Sequence, residues 1–441
     1  MPAPLLSITT DPTLPAEADC VVIGGGIVGV SAAYWLARAG QKVVLLEKGR
    51  IGAEQSSRNW GWCRQQNRDV RELPLSTRSL ALWEEMAADL GPDIGFRRCG
   101  LLYLSDDPAE LEGWASWGRF ARGEGVDTRM LTAAETAERA RATGRSWQGG
   151  VWSVSDGIAD PASAAPVIAR GVVKHGGHVI QRCAARGIER AGGRVSGVIT
   201  ERGTIRTRNV VVAGGAWAGS FMNQLGVTFP QASVRSSILS IMPGAEGLPD
   251  ALHTKGVSVT RRGDGGHTLA ISGRGSVDLT PGMLRGAKHF LPMFAKRWRS
   301  LRPGWTQGWV SGFETRAIWP TDRETPMERM RVLDPAPSVP LVRETLARAR
   351  ALLPALRGIP VQASWAGFID STPDGVPVID ADVGVPGLVL AAGLSGHGFG
   401  IGPGVGHLVA DLALGRDPIT EVAQYRLDRF RGSQWGKVAK F

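Results

Sequence analysis

The sequence predicts an α/β protein, α+β overall, in which a Rossmann-like parallel-sheet domain is interleaved with a domain built on a mixed sheet. Residues 19–48 have the pattern of a strand, a glycine turn, a helix and a second strand that ends in an acid. A short apolar strand ending in glycines recurs at residues 209–217 and again at 388–403. Strands that alternate with helices and end in glycines are typical of parallel sheets, whose ligands bind at the carboxyl ends of the strands.

The first strand and its turn carry a phosphate-binding pattern. Val21 to Ile23 is an apolar run, and Gly24, Gly26 and Gly29 follow it with G-x-G-x-x-G spacing. The first glycine turns the chain, the second lets the backbone approach a pyrophosphate, and the third packs the helix on the strand. The pattern therefore predicts a dinucleotide site at this turn.

The helix and the second strand complete the unit. Apolar spacing predicts a helix over Ile27–Arg38, and Gly40 ends it. The N–H groups that are free at its N-terminus favour an anion. Glu47 follows the second strand and lies 18 positions beyond Gly29. A carboxylate there accepts hydrogen bonds from the hydroxyls of an adenosine ribose.

Length and composition limit the other possibilities. A chain of 441 residues suggests two or three domains. Its net charge of +10 comes from arginines spread along the chain, without the aromatic-interleaved basic motif of a nucleic-acid binder. A basic surface also suits acidic substrates or an anionic membrane face. The 4 cysteines are scattered, so we expect no metal site, buried free thiols and a cytoplasmic location.

The same patterns predict how the domains are interleaved. Residues 1–80, 150–225 and 360–441 would form the dinucleotide domain, because they contain the strands that end in glycines. Residues 81–149 and 226–359 would form the substrate domain, a mixed sheet with helices.

Two further segments of the dinucleotide domain have ligand-binding patterns. Residues 52–62 are mostly small and polar, which is typical of a loop along a ligand, although a plain surface loop is the alternative. Ser56 and Ser57 could bind phosphate or ribitol oxygens there, and Arg58 could add charge. Near the end, the glycine-rich residues 393–403 lead into a helix predicted over Gly404–Leu414, whose N-terminus would face an anionic group.

Residues 281–299 combine apolar residues at helical spacing with basic residues between them. A basic amphipathic segment can lie on a membrane surface. The alternative is a helix that faces the core and exposes its charged side. Pro292 argues against one continuous helix.

Together these blocks resemble the flavin-dependent amine and amino-acid oxidoreductases of the D-amino-acid oxidase superfamily. Within that superfamily the chain resembles bacterial D-amino-acid dehydrogenases and L-amino-acid deaminases. The matching blocks span nearly the whole chain, in the order that the family has, and they are residues 24–47, 54–58, 156–161, 183–187, 211–217, 365–377 and 395–403.

The resemblance implies FAD as the cofactor, bound without a covalent link because no cysteine or histidine stands where covalent relatives have one. Ala184 and Ala185 would lie beside the adenine, and Gly396, His397 and Gly398 beside the pyrimidine edge of the flavin. The residues implied in cofactor binding are Gly24, Gly26, Ile27, Gly29, Glu47, Lys48, Gln55, Ser56, Ser57, Arg58, Ala184, Ala185, Gly214, Gly215, Trp217, Gly396, His397, Gly398 and Gly400.

One departure from the family concerns the substrate. Many members that oxidise free amino acids have an arginine where this chain has Ile369. Either another residue binds the substrate carboxylate, with Arg64, Arg235 and Arg316 as candidates, or the substrate lacks a free α-carboxylate.

The resemblance implies oxidation of a C–N bond of an amino acid or related amine. A hydride would pass to flavin N5, and the imine product would hydrolyse, so no side-chain base is required. Trp62, Trp365 and Phe399 would shape the pocket, and His397 would tune the flavin. Oxygen or a quinone would reoxidise the flavin, and contact with the inner face of the membrane stays open.

Three alternatives remain. The substrate could be a secondary amine such as an opine, an imino acid or an N-methyl amino acid. The chain could instead be an electron-transferring subunit of a larger flavoprotein complex, which would use the basic segment 281–299. An NAD-dependent dehydrogenase is disfavoured and would be colourless when purified.

Overall fold

The computed structural model describes residues 3–298, 300–304, 314–315 and 317–431. Helices, parallel strands and antiparallel strands are mixed, which confirms the predicted fold class. The strands are β1 (Cys20–Ile23), β2 (Val43–Leu46), β3 (Trp62–Cys63), β4 (Leu101–Ser105), β5 (Thr128–Leu131), β6 (Gly149–Ser153), β7 (Gly157–Ile158), β8 (His178–Ile180), β9 (Ala185–Ala191), β10 (Arg194–Thr200), β11 (Gly203–Arg206), β12 (Val210–Val212), β13 (Ala232–Ile241), β14 (Ala251–His253), β15 (Ser258–Arg261), β16 (His267–Ala270), β17 (Gly275–Asp278), β18 (Leu301–Gly304), β19 (Val361–Ser371), β20 (Val378–Asp380) and β21 (Leu388–Ala392). The α-helices are α1 (Ile27–Arg38), α2 (Leu73–Leu90), α3 (Pro108–Gly123), α4 (Ala133–Arg139), α5 (Ala164–Lys174), α6 (Ala218–Gln224), α7 (Pro281–Arg297), α8 (Pro326–Arg329), α9 (Val339–Leu352) and α10 (Gly398–Leu414).

A six-stranded sheet forms the centre of the cofactor side, in the order β20-β21-β12-β1-β2-β8. All neighbours in it are parallel except β20, which is antiparallel to β21. Side chains alternate across the sheet: Cys20 and Val22 face the core formed with α1, α5 and α10, whereas Val21 and Ile23 face a second core on the other side. This explains why the strand is apolar throughout, since a parallel strand is buried on both faces.

The last helix begins earlier than the sequence predicts. We expected it at Gly404, but α10 starts at Gly398 and includes the glycine-rich run. The reason is close packing against α1. A Cβ on Gly402 would lie 2.6 Å from Ile27 Cγ1, and one on Gly406 would lie 2.6 Å from the Ala32 backbone nitrogen. Glycine is therefore needed for helix contact here, although it is a poor helix former.

A mixed sheet forms the other half of the molecule, in the order β18-β17-β13-β16-β15-β14-β4-β6-β5, with β19 pairing along β13. Its strands come from several separate parts of the chain, β19 from the last segment that we assigned to the dinucleotide domain. The domain boundaries stay a prediction. A three-stranded antiparallel sheet, β11-β10-β9, and the pair β3-β7 complete the strands.

Helix α7 excludes one of the two alternatives drawn from the sequence, the helix that faces the core. It continues through Pro292, so the expected break is wrong; the Lys288 carbonyl that loses its partner is on an exposed residue and can bond water. Gly286 is its one buried residue, and Leu291 and Phe294 are 60% and 53% exposed. The helix therefore lies on the surface rather than facing the core. Within the described ranges, no helix is long and apolar enough to cross a membrane.

Candidate functional site

A cleft of about 880 Å³, measured out to its open mouth, lies where β1, β2 and β12 end. Three strands of a parallel sheet thus direct their carboxyl ends at one space, as expected for a ligand crevice. The predicted cofactor residues that line it are Gly24, Gly26, Glu47, Lys48, Gln55, Ser56, Ala185, Gly214, Gly215 and Trp217.

The glycine turn leaves the end of α1 open toward this cleft. Gly24 has φ +109°, and a Cβ there would overlap the carbonyl of Ala213. A Cβ on Gly29 would overlap the Gly24 carbonyl, so both positions require glycine. Gly26 caps α1 without a side chain, and the Ile27 N–H donates to Ser56 Oγ at 2.8 Å. The helix N-terminus thus offers donors to an anion.

Glu47 connects the second strand to the same turn. Its Oε2 accepts a hydrogen bond from the Gly25 N–H at 2.8 Å, and its Oε1 accepts one from the Gly49 N–H at 2.6 Å. Burial raises the pKa of this carboxyl, while Lys48 and the two N–H groups oppose the rise. The carboxylate is therefore held in a fixed orientation at the wall of the cleft.

An ion pair closes one wall. Lys48 Nζ donates to Glu54 Oε1 at 2.5 Å and to the carbonyls of Met330 and Arg331 at 3.1 and 2.9 Å. The same nitrogen lies 4.7 Å from the centre of the Trp217 ring. Because Lys48 already has three acceptors, we interpret it as part of the frame of the cleft rather than as a free cation.

Other predicted cofactor residues support this frame from behind. Ser57 is buried and its hydroxyl donates to the Glu54 carbonyl at 3.3 Å. The Arg58 guanidinium is 2% exposed and donates to the carbonyls of Ala53 and Ala366. The Ala184 N–H donates to a Glu201 carboxylate oxygen at 2.5 Å.

The residues present fit a flavin dinucleotide. The turn at Gly24 and Gly26 lines the cleft and leads directly into the N-terminus of α1, where a pyrophosphate would bind. In addition, the side-chain oxygen of Gln55 is buried and has no hydrogen-bond partner within the described part of the chain. An orphaned acceptor beside Gly367 in the lining of the cleft is expected where a ligand supplies the donor.

The N-terminus of α10 brings several predicted residues together. His397 precedes the helix, and its Nδ1 lies 3.2 Å from an oxygen of the buried Glu72. A Cβ on Gly400 would lie 2.6 Å from the Trp62 carbonyl, so the 62–64 segment packs on this end of the helix. Burial lowers the pKa of His397 to about 4, and the nearby Arg68 lowers it further. The imidazole is therefore neutral at physiological pH.

Asp370, which sequence reasoning missed, links β19 to the same helix end. Its Oδ2 accepts a hydrogen bond from the Gly393 N–H at 2.7 Å, and its carbonyl accepts one from the Ser395 N–H at 2.7 Å. Ser395 and Gly396 both have positive φ, 51° and 85°. Burial raises the pKa of Asp370 to about 6. Its position next to Ile369 was the available signal, because that position already departs from the family.

An aromatic wall lies on the substrate side. Trp62 donates from Nε1 to Thr260 Oγ1 at 2.7 Å. Its ring centre is 5.1 Å from that of Trp60, 6.0 Å from Tyr103 and 5.9 Å from His253. Sequence reasoning missed Tyr103 and His253, since single residues on separate strands form no motif.

The other predicted pocket residues are further apart. Trp365 is 1% exposed and packs with Ile238 and the partly buried Trp60. Phe399 packs against Trp83 in the core beneath α10, with ring centres 5.7 Å apart. The structure thus packs the backbone at Trp62 against the first turn of α10 but directs Phe399 into the core, and the roles of these residues stay predictions.

The three candidate carboxylate-binding arginines differ in position. Arg64 lies near Tyr103 and His253 and lowers the pKa of both groups. Arg235 lies on β13 and donates from Nε to Ser276 Oγ at 3.0 Å. Arg316 lies outside the described residues.

Comparisons with known proteins agree along most of the chain. The family model described as DAO, FAD dependent oxidoreductase, matches residues 19–412. Glycine oxidase of Pseudomonas aeruginosa is 28% identical over 92% of this chain and 97% of its own length. The structure of L-amino acid deaminase from Proteus myxofaciens, in complex with anthranilate, has a TM-score of 0.92 at 28% identity and 97% coverage of both chains. L-proline dehydrogenase from P. horikoshii has a TM-score of 0.75 at 26% identity, covering 95% of this chain and 98% of its own.

Proposed function

Because this chain belongs to the DAO family of FAD-dependent oxidoreductases, we propose that it oxidises the C–N bond of a free α-amino acid at non-covalently bound FAD. The similarity to the Proteus myxofaciens L-amino acid deaminase carries the proposal: its TM-score is 0.92, against 0.75 for the L-proline dehydrogenase. Glycine oxidase is a second relative whose named substrate has a primary amine.

We propose the following placement of the cofactor. The N-terminus of α1 binds the pyrophosphate, and Glu47 binds the ribose hydroxyls. The N-terminus of α10 lies at the pyrimidine edge of the flavin, where the helix dipole stabilises negative charge. The open turn at Gly24, the fixed carboxylate of Glu47 and the orphaned oxygen of Gln55 support this placement.

Bound FAD supplies the acceptor for a hydride from the substrate C–H, so the work left for the protein is orientation and electrostatics. Arg64 holds the substrate carboxylate, in place of the arginine that Ile369 replaces. It forms no ion pair with any described residue, and it lies beside the aromatic wall. His397 is neutral, so it adds no positive charge that would repel the amine of the substrate.

A secondary amine is the alternative substrate. The similarity to L-proline dehydrogenase and the missing arginine at position 369 favour it. Because both substrates would leave an imine that hydrolyses, the two readings differ in the amine and not in the cofactor chemistry.

The test is anaerobic bleaching of the bound flavin by D- and L-amino acids, their α-amides, N-methyl and imino acids, opines and simple amines. We expect free primary amino acids to bleach the flavin and their α-amides to fail. Bleaching by secondary amines alone, or by amines without a carboxylate, would contradict the proposal. Admitting air afterwards separates rapid reoxidation by oxygen from the need for a quinone, and turnover with a soluble dye sets aside the electron-transferring subunit.

We also propose that α7 contacts a membrane from which a quinone reoxidises the flavin. Its exposed apolar residues Leu284, Leu291 and Phe294 stand among basic residues, as in helices that lie at a lipid interface. Sedimentation with vesicles of phosphatidylcholine and phosphatidylglycerol tests this. We expect the wild type to bind the vesicles and the double variant Leu291→Ser, Phe294→Ser not to bind them. Equal sedimentation of the two proteins would contradict this proposal.

A further inference from the structure

Arg68 is a buried cation that forms no ion pair with a carboxylate of the described residues, although the charges of Glu72 and Asp156 act on it from further away. The residue is 3% exposed, and its Nη1 has no hydrogen-bond partner within the described part of the chain. Its Nε donates to the Arg64 carbonyl at 3.3 Å, which is a neutral acceptor. Burial, together with the charge of Arg64, lowers the pKa of Arg68 to about 9, against the opposing effect of Glu72 and Asp156. An unpaired guanidinium is expensive to bury, so its position calls for an explanation.

Local structure turns this arginine inward. The buried carboxylate of Asp156 accepts hydrogen bonds from the Gln65 N–H at 2.6 Å and the Gln66 N–H at 3.3 Å. Asn67 then adopts a left-handed conformation, with φ 59°, which reverses the chain. Trp117 Nε1 donates to the Arg68 carbonyl at 2.9 Å. The backbone of Arg68 is therefore held on both sides.

The carboxylates near Arg68 are committed to other groups. Asp156 bonds the two backbone N–H groups just described, and Glu72 bonds His397. Neither forms an ion pair with Arg68 or Arg64. The Arg68 guanidinium thus lies near that of Arg64 without an ion pair to either carboxylate, and the charge of Arg64 lowers the pKa of Arg68.

Tyr103 adds a third donor at the same place. It is 2% exposed; its hydroxyl lies next to the Arg64 guanidinium, which can only donate, and the Tyr103 O–H has no acceptor within the described ranges. Burial raises the pKa of this hydroxyl to about 12, while Arg64 and Arg68 both lower it, so the three groups lie close together. The Tyr103 hydroxyl and the guanidinium groups of Arg64 and Arg68 are all donors, and a negatively charged acceptor could bind all three.

We propose that Arg68 and Tyr103 complete, with Arg64, an anion subsite that binds the carboxylate of the substrate, an inference that rests on the proposed function. Planar guanidinium groups and a phenol suit the two oxygens of a carboxylate. The aromatic wall of Trp62 and His253 stands beside this subsite and receives the side chain. The subsite therefore selects α-amino acids over amines that lack the carboxylate.

The experiment compares two ligands of one shape on the holoenzyme. Anthranilate carries a carboxylate, and 2-aminobenzamide has a neutral amide in its place; their binding is followed through the flavin absorbance. The variants are Arg68→Met, Arg68→Lys and Tyr103→Phe. The matched control is Arg262→Met, because Arg262 is also buried, at 5% side-chain exposure, but has a carboxylate 3.4 Å away, on Asp264.

We expect Arg68→Met to raise the Kd of anthranilate by about 10- to 100-fold while the Kd of 2-aminobenzamide stays unchanged. Arg68→Lys should retain part of the preference, and Tyr103→Phe should raise the anthranilate Kd by about 5-fold. Arg262→Met should lower the melting temperature without changing the ratio of the two constants. If Arg68→Met does not fold, the ratios measured for Arg68→Lys and Tyr103→Phe decide the test.

A ratio that is unchanged in Arg68→Lys and Tyr103→Phe would overturn the subsite, as would equal wild-type binding of both ligands. The proposed function is separable from this result. If no free amino acid bleaches the wild-type flavin but Arg68→Met still loses the preference for anthranilate, the proposed function fails and the subsite stands. If amino acids bleach the flavin and the ratio does not respond, the subsite alone fails.

Discussion

The cofactor cleft and the substrate side of this molecule differ in the groups that form them. The cleft uses backbone N–H groups, glycines and charges that are already paired, such as Lys48 with Glu54. The substrate side uses side chains from separate strands, and its cations Arg64 and Arg68 have no ion pair with a described residue. The charges of the cleft are therefore paired within the protein, whereas the guanidinium of Arg68 on the substrate side keeps an Nη1 without a described partner. Variants in the two regions should therefore fail in different ways.

The largest expected effect is loss of the cofactor from Gly24→Ala. The positive φ and the overlap with the Ala213 carbonyl should cost more than about 3 kcal/mol, because the backbone must move. The flavin absorbance per protein and the melting temperature measure this. Gly113→Ala is the control, since nothing lies within 4 Å of a Cβ there and it should keep both values. A yellow, stable Gly24→Ala protein would show that the frame is less rigid than described.

On the substrate side we expect loss of turnover without loss of FAD. Arg64→Met should lower kcat/KM for amino acids by about 100- to 1,000-fold, since a buried charge pair with the carboxylate is removed. The flavin content should equal that of the wild type. The exposed Arg190→Met, which gives up one hydrogen bond to the Leu225 carbonyl, should change neither quantity. If Arg64→Met keeps its kcat/KM, another residue binds the carboxylate.

Buried titratable groups of the mixed sheet should make stability depend on pH. His267 is 2% exposed, and burial lowers its pKa to about 4, with a further contribution from Arg261 and opposition from Asp250 and Asp264. In the unfolded chain His267 takes up a proton near pH 6.5, whereas in the folded chain it does so only near pH 4. The free energy of unfolding should therefore fall as the pH drops through this window, by up to about 1.4 kcal/mol per pH unit.

His267→Gln removes this contribution and should make the fall shallower. Urea unfolding of the holoenzyme at several pH values between 7.5 and 4.5 provides the measurement. Equal slopes for His267→Gln and the wild type would show that the ring is protonated in the folded protein.

The smallest effect is expected from one hydroxyl of the cleft. Ser56→Ala removes the acceptor of the Ile27 N–H and a polar group of the lining, so the Kd of FAD should rise by about 5- to 10-fold. Titration of apoprotein with FAD measures it. Ser57→Ala should have less effect, because its hydroxyl bonds the Glu54 carbonyl behind the wall. The reverse order would mean that Ser57 rather than Ser56 faces the cofactor.

A further prediction concerns the link to the cofactor. We expect acid precipitation of the holoenzyme to release all of the flavin into the supernatant, since the bond is non-covalent. Flavin retained in the pellet would contradict this, and Cys183 would then be the first residue to examine, because it lines the cleft.

Much of the cofactor side could be read from the chain. The bounds of α1 are those predicted, and the family match confirms the resemblance, the enzyme class and FAD. These features depend on glycine positions and apolar runs within short segments, so local sequence carries them. The start of α10 was not readable, since its glycines are explained by contact with α1, which is distant in sequence.

The sequence by itself predicted the parallel sheet and the glycine turn of a dinucleotide site, because backbone sites need particular residues at fixed spacing, and the resemblance of its motifs to a family implied FAD. Only the tertiary structure decided that Arg68, Tyr103 and His253 meet beside Arg64. Each of these residues is unremarkable in its own segment. Their chemistry depends on being buried together, and burial of side chains from separate strands is a property of the folded chain alone.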